Sequence, residues 1–343
     1  MLLRNFKILT SRRFNKHPVW HLVYEWEDVF SSVLNIKLQD RKIFYFFVKA
    51  ILKVSRPVKL FNRERMLYWF DDLQFNFLNK KDNLCIHIYP RSKYYFSFRT
   101  KHMVPWIIDF DKNVSIKEFQ NTYSKHKLVL ISSLNALNYL NERTNNLNLK
   151  HLPLSISDRH QLSRVTYFKN RQYDLIFPGR PNKTLLQWAK VFGESNPWFE
   201  WFSYKNIDNR NLYVSNKGRE IDCRTRNAYL DLLKNCKVAV YTTQKVDGNI
   251  MSLDHITAKL FELVYTGCLL IGMYSETDES KAFHVSEICP AVSNYNDFET
   301  TLKNYIDQAR KEEDFLKYQK FMDANRTSLN AKKLLKLLQT NGY

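Results

Sequence analysis

A chain of 343 residues exceeds one ordinary domain, and with 44% hydrophobic and 15% aromatic residues it can fill two cores, which excludes a disordered protein. The formal charge of +19, from 53 basic against 34 acidic residues, calls for an anionic partner: nucleic acid, membrane lipid or a phosphorylated small molecule. No run of 18 apolar residues occurs, so no transmembrane helix is expected.

Residues 1–10 are too short and broken an apolar stretch for a signal peptide. Five cysteines, Cys85, Cys223, Cys236, Cys268 and Cys289, lack CxxC spacing and read as reduced core residues of a cytoplasmic protein. "HPVWHLVYEWEDVFSSVLN" (17–35) reads as a strand or turn entering an amphipathic helix. "KLQDRKIFYFFVKAILKVSRPVKLFNRER" (37–65) is strongly basic around an apolar, aromatic centre. That pattern suits the headgroup layer of an anionic membrane, or else a basic core helix. "DNLCIHIY" (82–89), "VPWIIDFD" (104–111) and "KLVLISS" (127–133) look like parallel strands buried on both faces, with helices over 115–125 and 134–143.

A polar stretch over 149–170 reads as a linker. The pattern then repeats. Strands are expected at 173–179, 199–204 and 237–243, and helices at 182–194 and 224–236. Another helix and strand follow over 254–272, and 297–340 is helical to the end. The expected fold is therefore α/β, with two Rossmann-like domains, 1–150 and 151–343, facing each other across a cleft.

All glycines lie at or after Gly179, so any glycine loop near a phosphate belongs to the second half. There, "DHITAKLFELVYTGCLLIG" (254–272) carries the chemistry. Ile256, Leu260, Phe261 and Val264 form one helix face, Gly267 fits a left-handed C-cap, and Ser252 or Asp254 can cap the start. Glu262, between Phe261 and Leu263, needs a partner or a ligand. Its candidates are Lys259, a neighbouring helix, or the hydroxyls of a sugar. Backbone N–H groups at the helix mouth, with Thr257, make an anion site. In "FPGRPNKTLLQWAKVF" (177–192), Gly179, Arg180 and Lys183 place two cations where a strand ends and a helix begins.

These residues together resemble the nucleotide-sugar signature of GT-B glycosyltransferases, written T-x-R/K-x-x-E-x-x-x-x-G, with seven residues between Asp254 and Glu262. The resemblance implies that Glu262 binds the ribose of the donor, that Thr257 and Lys259 face its diphosphate, and that Asp254 serves at the donor sugar. Gly179, Arg180 and Lys183 are similar to a G-R-x-x-x-K-G element, with the lysine one residue early and Thr184 in place of the glycine. The loop 240–255 would border the donor sugar through Thr242, Thr243, Gln244 and Asp247.

The first domain would supply the acceptor site. Asp109 and Asp111 end a strand, and one of them could be a general base in an inverting enzyme; His21, Glu25 and Glu27 are weaker candidates. What the resemblance implies is a glycosyltransferase, of retaining type, acting without metal or other cofactor. It would move a sugar from a nucleotide-sugar donor to a lipid-linked or glycan acceptor in bacterial lipopolysaccharide, O-antigen or capsule assembly. The protein would sit peripherally on the inner face of the cytoplasmic membrane and bind no nucleic acid. The other readings are a basic nucleic-acid-binding protein, favoured by charge alone, and a catalytically silent assembly partner.

Overall fold

The computed structural model describes residues 6–10, 12, 18–40, 84–91, 103–110, 114–207, 210–243 and 253–343. Of the basic stretch 37–65, residues Lys37–Asp40 form a strand, and the remainder, with Lys49, Lys53 and Arg56, lies outside the described residues, as do Asp111, Gln244, Asp247 and Ser252. The chain divides into two compact units, Met1–Pro153 with Thr327–Tyr343, and Leu154–Arg326.

Unit 1 holds a parallel sheet of β1 (Phe6–Thr10), β2 (Lys37–Asp40), β3 (Leu84–Arg91), β4 (Met103–Asp109), β5 (Val129–Ile131) and β6 (Leu149–His151), in the order β2-β1-β3-β4-β5-β6. Helix α1 (Pro18–Leu34) joins β1 to β2; α2 (Ile116–Tyr123) and α3 (Leu134–Asn141) follow β4 and β5. The short strands are near-continuous apolar runs because helices need both faces of the sheet to bury their own apolar stripes. Trp26 and Phe30 of α1 lie 5.3 Å and 5.6 Å from the Trp106 ring of β4, whose indole N–H donates to the Leu152 carbonyl at 2.9 Å.

Unit 2 opens with α4 (Arg164–Phe168) and β7 (Tyr173–Phe177), followed by α5 (Lys183–Ser195). Strands β8 (Trp201–Ile207), β9 (Arg210–Ser215) and β10 (Glu220–Asp222) come next, then α6 (Arg226–Asn235) and β11 (Cys236–Thr242). After them come α7 (Ala258–Thr266), β12 (Leu269–Met273), the short α8 (Asp278–Ala282) and α9 (Val285–Ile288), α10 (Tyr295–Asp307) and α11 (Glu312–Ala324). The sheet order is β10-β9-β8-β7-β11-β12. β7, β8, β11 and β12 are parallel, whereas β9 and β10 run antiparallel as an edge meander. Leu175, Phe177, Val238, Val240 and Ile271 point to one face, where they meet Leu185, Ala189 and Phe192 of α5 and Phe298 and Leu302 of α10. The chain leaves β7 for β8 on one side and later enters β11 on the other. The order therefore reverses between β7 and β11, and an open α/β sheet presents a ligand crevice beyond the carboxyl ends of its strands at such a reversal.

Three expectations change. Residues 327–343 do not belong to the second domain: the last helix, α12 (Thr327–Thr340), is part of unit 1. It packs on α1 and buries Ala331, Leu334 and Leu338, while the Asn330 amide donates to the Pro153 carbonyl at 2.7 Å. The 149–170 stretch is not mere linker, since β6 and α4 lie in it. Finally, β9 and β10 went unforeseen because these short edge strands carry Arg210, Asn211, Glu220 and Asp222, which read as loop. Among the described residues, no helix is long and apolar enough to cross a membrane.

Candidate functional site

The carboxyl ends of β7 and β11 gather most of the residues singled out in the second half. β7 runs out into Gly179, whose φ of +69° is a left-handed conformation suited to glycine. A Cβ there would also lie 2.9 Å from the Lys259 ammonium nitrogen, so the close approach of Lys259 needs the missing side chain. The Gly179 N–H donates to the Tyr213 hydroxyl at 2.9 Å. Burial pushes that hydroxyl well above the usual tyrosine range, with the Gly179 hydrogen bond working against the shift.

Arg180 and Lys183 are exposed and have no ion pair among the described residues. Asn182 caps α5 by accepting from the Leu185 N–H at 2.9 Å, which makes Lys183 the first helical residue. A cation at a helix N-terminus opposes the macrodipole, at a cost of about 0.3–1 kcal/mol. The first turn of α5 carries no acid to offset it. Helix α7 repeats this arrangement, with Lys259 in its first turn and again no acid there. Two helix starts therefore present cations together with the N–H groups that no intrahelical carbonyl can reach.

Thr257, not Ser252 or Asp254, is the N-cap of α7, and its side chain makes no capping hydrogen bond. The Thr257 N–H donates to the Tyr241 hydroxyl at 3.3 Å. Thr243, just past the end of β11, is buried, and its hydroxyl has no hydrogen-bond partner among the described residues. Asp254 lies ahead of the helix and is buried; its Oδ2 accepts the Ser275 N–H at 3.3 Å, which ties it to the loop after β12.

Glu262, one turn into α7, is buried. Of the alternatives posed by the sequence, the structure shows a neighbouring helix as its partner rather than Lys259. Arg226 Nη1 donates to Glu262 Oε1 at 2.5 Å, and the Tyr229 hydroxyl reaches Oε2 at a long 3.4 Å. Arg226 and Tyr229 stand three apart on α6 and so share the face toward α7. The Tyr229 ring stacks on Tyr213, centroids 5.9 Å apart and planes 29° from parallel. Through that stack Glu262 is linked to Gly179. Burial, with the Glu262 charge added, raises the Tyr229 hydroxyl far above its ordinary value and keeps it a donor.

Sequence reading missed Arg226, Tyr229 and Tyr213. A signal existed for the first two: Arg226, Tyr229, Leu230 and Leu233 follow the 0, 3, 4, 7 spacing of a buried stripe. An arginine on such a stripe requires an acid opposite it. Nothing local marks Tyr213, which sits on one of the unforeseen strands.

The candidates of the first domain lie in unit 1. Asp109 ends β4 and is half-buried. His21 is exposed on α1, whereas Glu25 and Glu27 are buried. Glu27 Oε2 accepts from the Thr10 hydroxyl at 2.6 Å and from Arg12 Nε at 3.1 Å.

No protein-family profile matches the sequence, and no curated protein matches it. Solved structures do match in three dimensions. A trehalose-6-phosphate synthase, OtsA, superposes with a TM-score of 0.58 at 8% identity, covering 98% of this chain and 99% of that one. BGT of T4 phage, solved in complex with its UDP-glucose substrate, gives 0.52 at 12% identity over 98% of both chains. Both are GT-B glycosyltransferases. The chain has the GT-B fold. It spans 61% of the matched chain in a GtfA/B complex, with 82% of its own length covered, 12% identity and a TM-score of 0.49.

Proposed function

We propose that the protein is a glycosyltransferase using a nucleotide-sugar donor, and that the donor binds at the β7–β11 reversal of unit 2. The observation that carries this reading is the placing of cations at two helix starts at that reversal, with no acid in either first turn. Arg180 and Lys183 at α5, and Lys259 with Thr257 at α7, form an environment made for a diphosphate, with a buried carboxylate one turn deeper. A single anionic ligand would relieve both helix-dipole conflicts.

In the reaction, the bond between the sugar's anomeric carbon and the diphosphate oxygen breaks, and its electron pair leaves with the nucleoside diphosphate. The acceptor oxygen forms the new bond to that carbon, and its proton passes to the leaving phosphate oxygen in the retaining course assigned here. Arg180, Lys183 and Lys259 stabilise the charge that develops on the leaving group. Glu262 accepts hydrogen bonds from the ribose. Thr243 offers a buried hydroxyl at the end of β11 to the donor sugar, and Asp254 holds the adjoining loop.

The acceptor is assigned as a lipid-linked or glycan chain of bacterial surface-polysaccharide assembly, met at an anionic membrane. The basic, aromatic composition of residues 37–65 and the net charge of +19 support that part. Asp109 is assigned to the acceptor side.

The test is a thermal-shift panel of UDP, GDP, ADP and CMP, each with its common sugar conjugates, on the wild type and on Glu262→Gln. One nucleotide should raise the melting temperature of the wild type, and the variant should lose most of that rise, measured from its own ligand-free melting temperature. No shift with any nucleotide, coupled with a salt-sensitive shift on duplex DNA, would overturn the transferase in favour of a nucleic-acid-binding protein.

A further inference from the structure

Glu262 is held asymmetrically, and the asymmetry assigns a role to its partner. Oε1 takes the 2.5 Å bond from Arg226, whereas among the described residues Oε2 has only the 3.4 Å contact from Tyr229. A hydrogen bond of that length is weak. Oε2 also lies on the side that leads, through the Tyr229–Tyr213 stack, to the Gly179 N–H. One oxygen is therefore anchored, and the other keeps its capacity to accept.

Arg226 is itself immobilised. It is 8% exposed, and its second nitrogen, Nη2, donates to the Tyr265 hydroxyl at 2.8 Å. The Tyr265 ring lies flat on His160, centroids 4.1 Å apart and planes 1° from parallel. Because Tyr265 is on α7, like Glu262, the guanidinium bridges two points of that helix from α6. Its planar fork suits this double contact; an ammonium on a flexible stem would not hold both. So buried a cation is in no position to meet a diphosphate.

We propose that Arg226 is a positioning residue for ribose recognition: by fixing Oε1 it presents Oε2 to the vicinal hydroxyls of the donor nucleotide. The inference rests on the donor site proposed above. It predicts that discrimination between ribose and 2′-deoxyribose depends on a residue that touches neither sugar.

The experiment measures, by calorimetry, the affinities of UDP, GDP, ADP and CDP and of their 2′-deoxy counterparts. The proteins are the wild type, Arg226→Gln, Arg226→Lys and Tyr229→Phe, each checked by ligand-free melting. The wild type should prefer its ribonucleotide by about tenfold or more, the worth of a hydrogen bond to a charged group. Arg226→Gln should bring that ratio close to one while leaving deoxynucleotide affinity within about twofold, and Arg226→Lys should restore part of the ratio. Tyr229→Phe, which removes only the weak contact on Oε2, should keep the ratio or raise it. If Arg226→Gln does not fold, a full wild-type ratio in Arg226→Lys, or a lowered ratio in Tyr229→Phe, overturns the proposal.

Equal loss for ribo- and deoxynucleotides in Arg226→Gln would make Arg226 a structural support only and overturn the proposal, leaving the donor site intact. A wild type that binds nucleotides without preferring ribose would overturn it as well. A wild type that binds none of the eight would overturn the donor site together with this proposal.

Discussion

Each unit buries a glutamate against an arginine, and the two pairs differ in what they leave open. In unit 1 a single oxygen of Glu27 takes both the Thr10 hydroxyl and Arg12. Arg12 is partly exposed and shared with Asp28 at 2.6 Å, and it also donates to the Tyr24 carbonyl. In unit 2 the Arg226–Glu262 pair is buried on both sides and, among the described residues, leaves one carboxylate oxygen weakly engaged. The first constellation ties a strand end to a helix. The second keeps acceptor capacity on one carboxylate oxygen, in the helix whose first turn carries Lys259.

The largest expected effect breaks the two pairs in parallel. Glu262→Ala removes the carboxylate from a buried guanidinium and should cost about 3–5 kcal/mol in urea unfolding, whereas Glu27→Ala leaves the partly exposed Arg12 its Asp28 and water and should cost about 1–2 kcal/mol. Equal losses would erase the distinction between the two pairs. Next comes Gly179→Ala. Strain at positive φ costs about 1–2 kcal/mol, and the new Cβ pushes Lys259 aside, so both the melting temperature and nucleotide affinity should fall. A variant with normal nucleotide affinity would remove Lys259 from the site.

A smaller change has two opposite signs. Lys183→Glu replaces an anti-dipole charge with a favourable one and should stabilise the ligand-free protein by about 0.3–1 kcal/mol. The same substitution should weaken nucleotide binding, by about tenfold for one lost charged contact. Loss of both stability and affinity would show that Lys183 supports the fold instead.

The mildest effect belongs to unit 1. Burial, helped by the charge of Lys333, pushes His151 down to about 4, and its Nε2–H donates to the Ser132 carbonyl at 3.0 Å. The ring stays neutral in the fold but takes up a proton in the unfolded chain near 6.5. Its contribution is complete above that value and is lost as the pH falls from there towards 4. His126, also lowered by burial, loses stability in the same direction. His151→Gln should flatten part of the acid limb of the melting temperature between pH 6.5 and 4 and leave nucleotide affinity untouched. An unchanged limb would dismiss His151 as its source.

Local chemistry determined much of this protein from its sequence alone. Alternating apolar runs and amphipathic stretches dictate an α/β chain, because strands buried on both faces and helices with one wet side need each other. Gly267 closing α7, Gly179 after β7 and the cations beside it were legible too, since backbone conformation and helix starts depend on near neighbours. Glu262 announced itself as a carboxylate among apolar residues. Which partner answers it could not be read, because Arg226 lies 36 residues away and the contact exists only once α6 lies against α7. Tertiary structure likewise decided that α12 returns to the first unit and that β9 and β10 extend the second sheet as an antiparallel edge. Both are choices among surfaces that local sequence makes equally available, and packing across the chain selects between them.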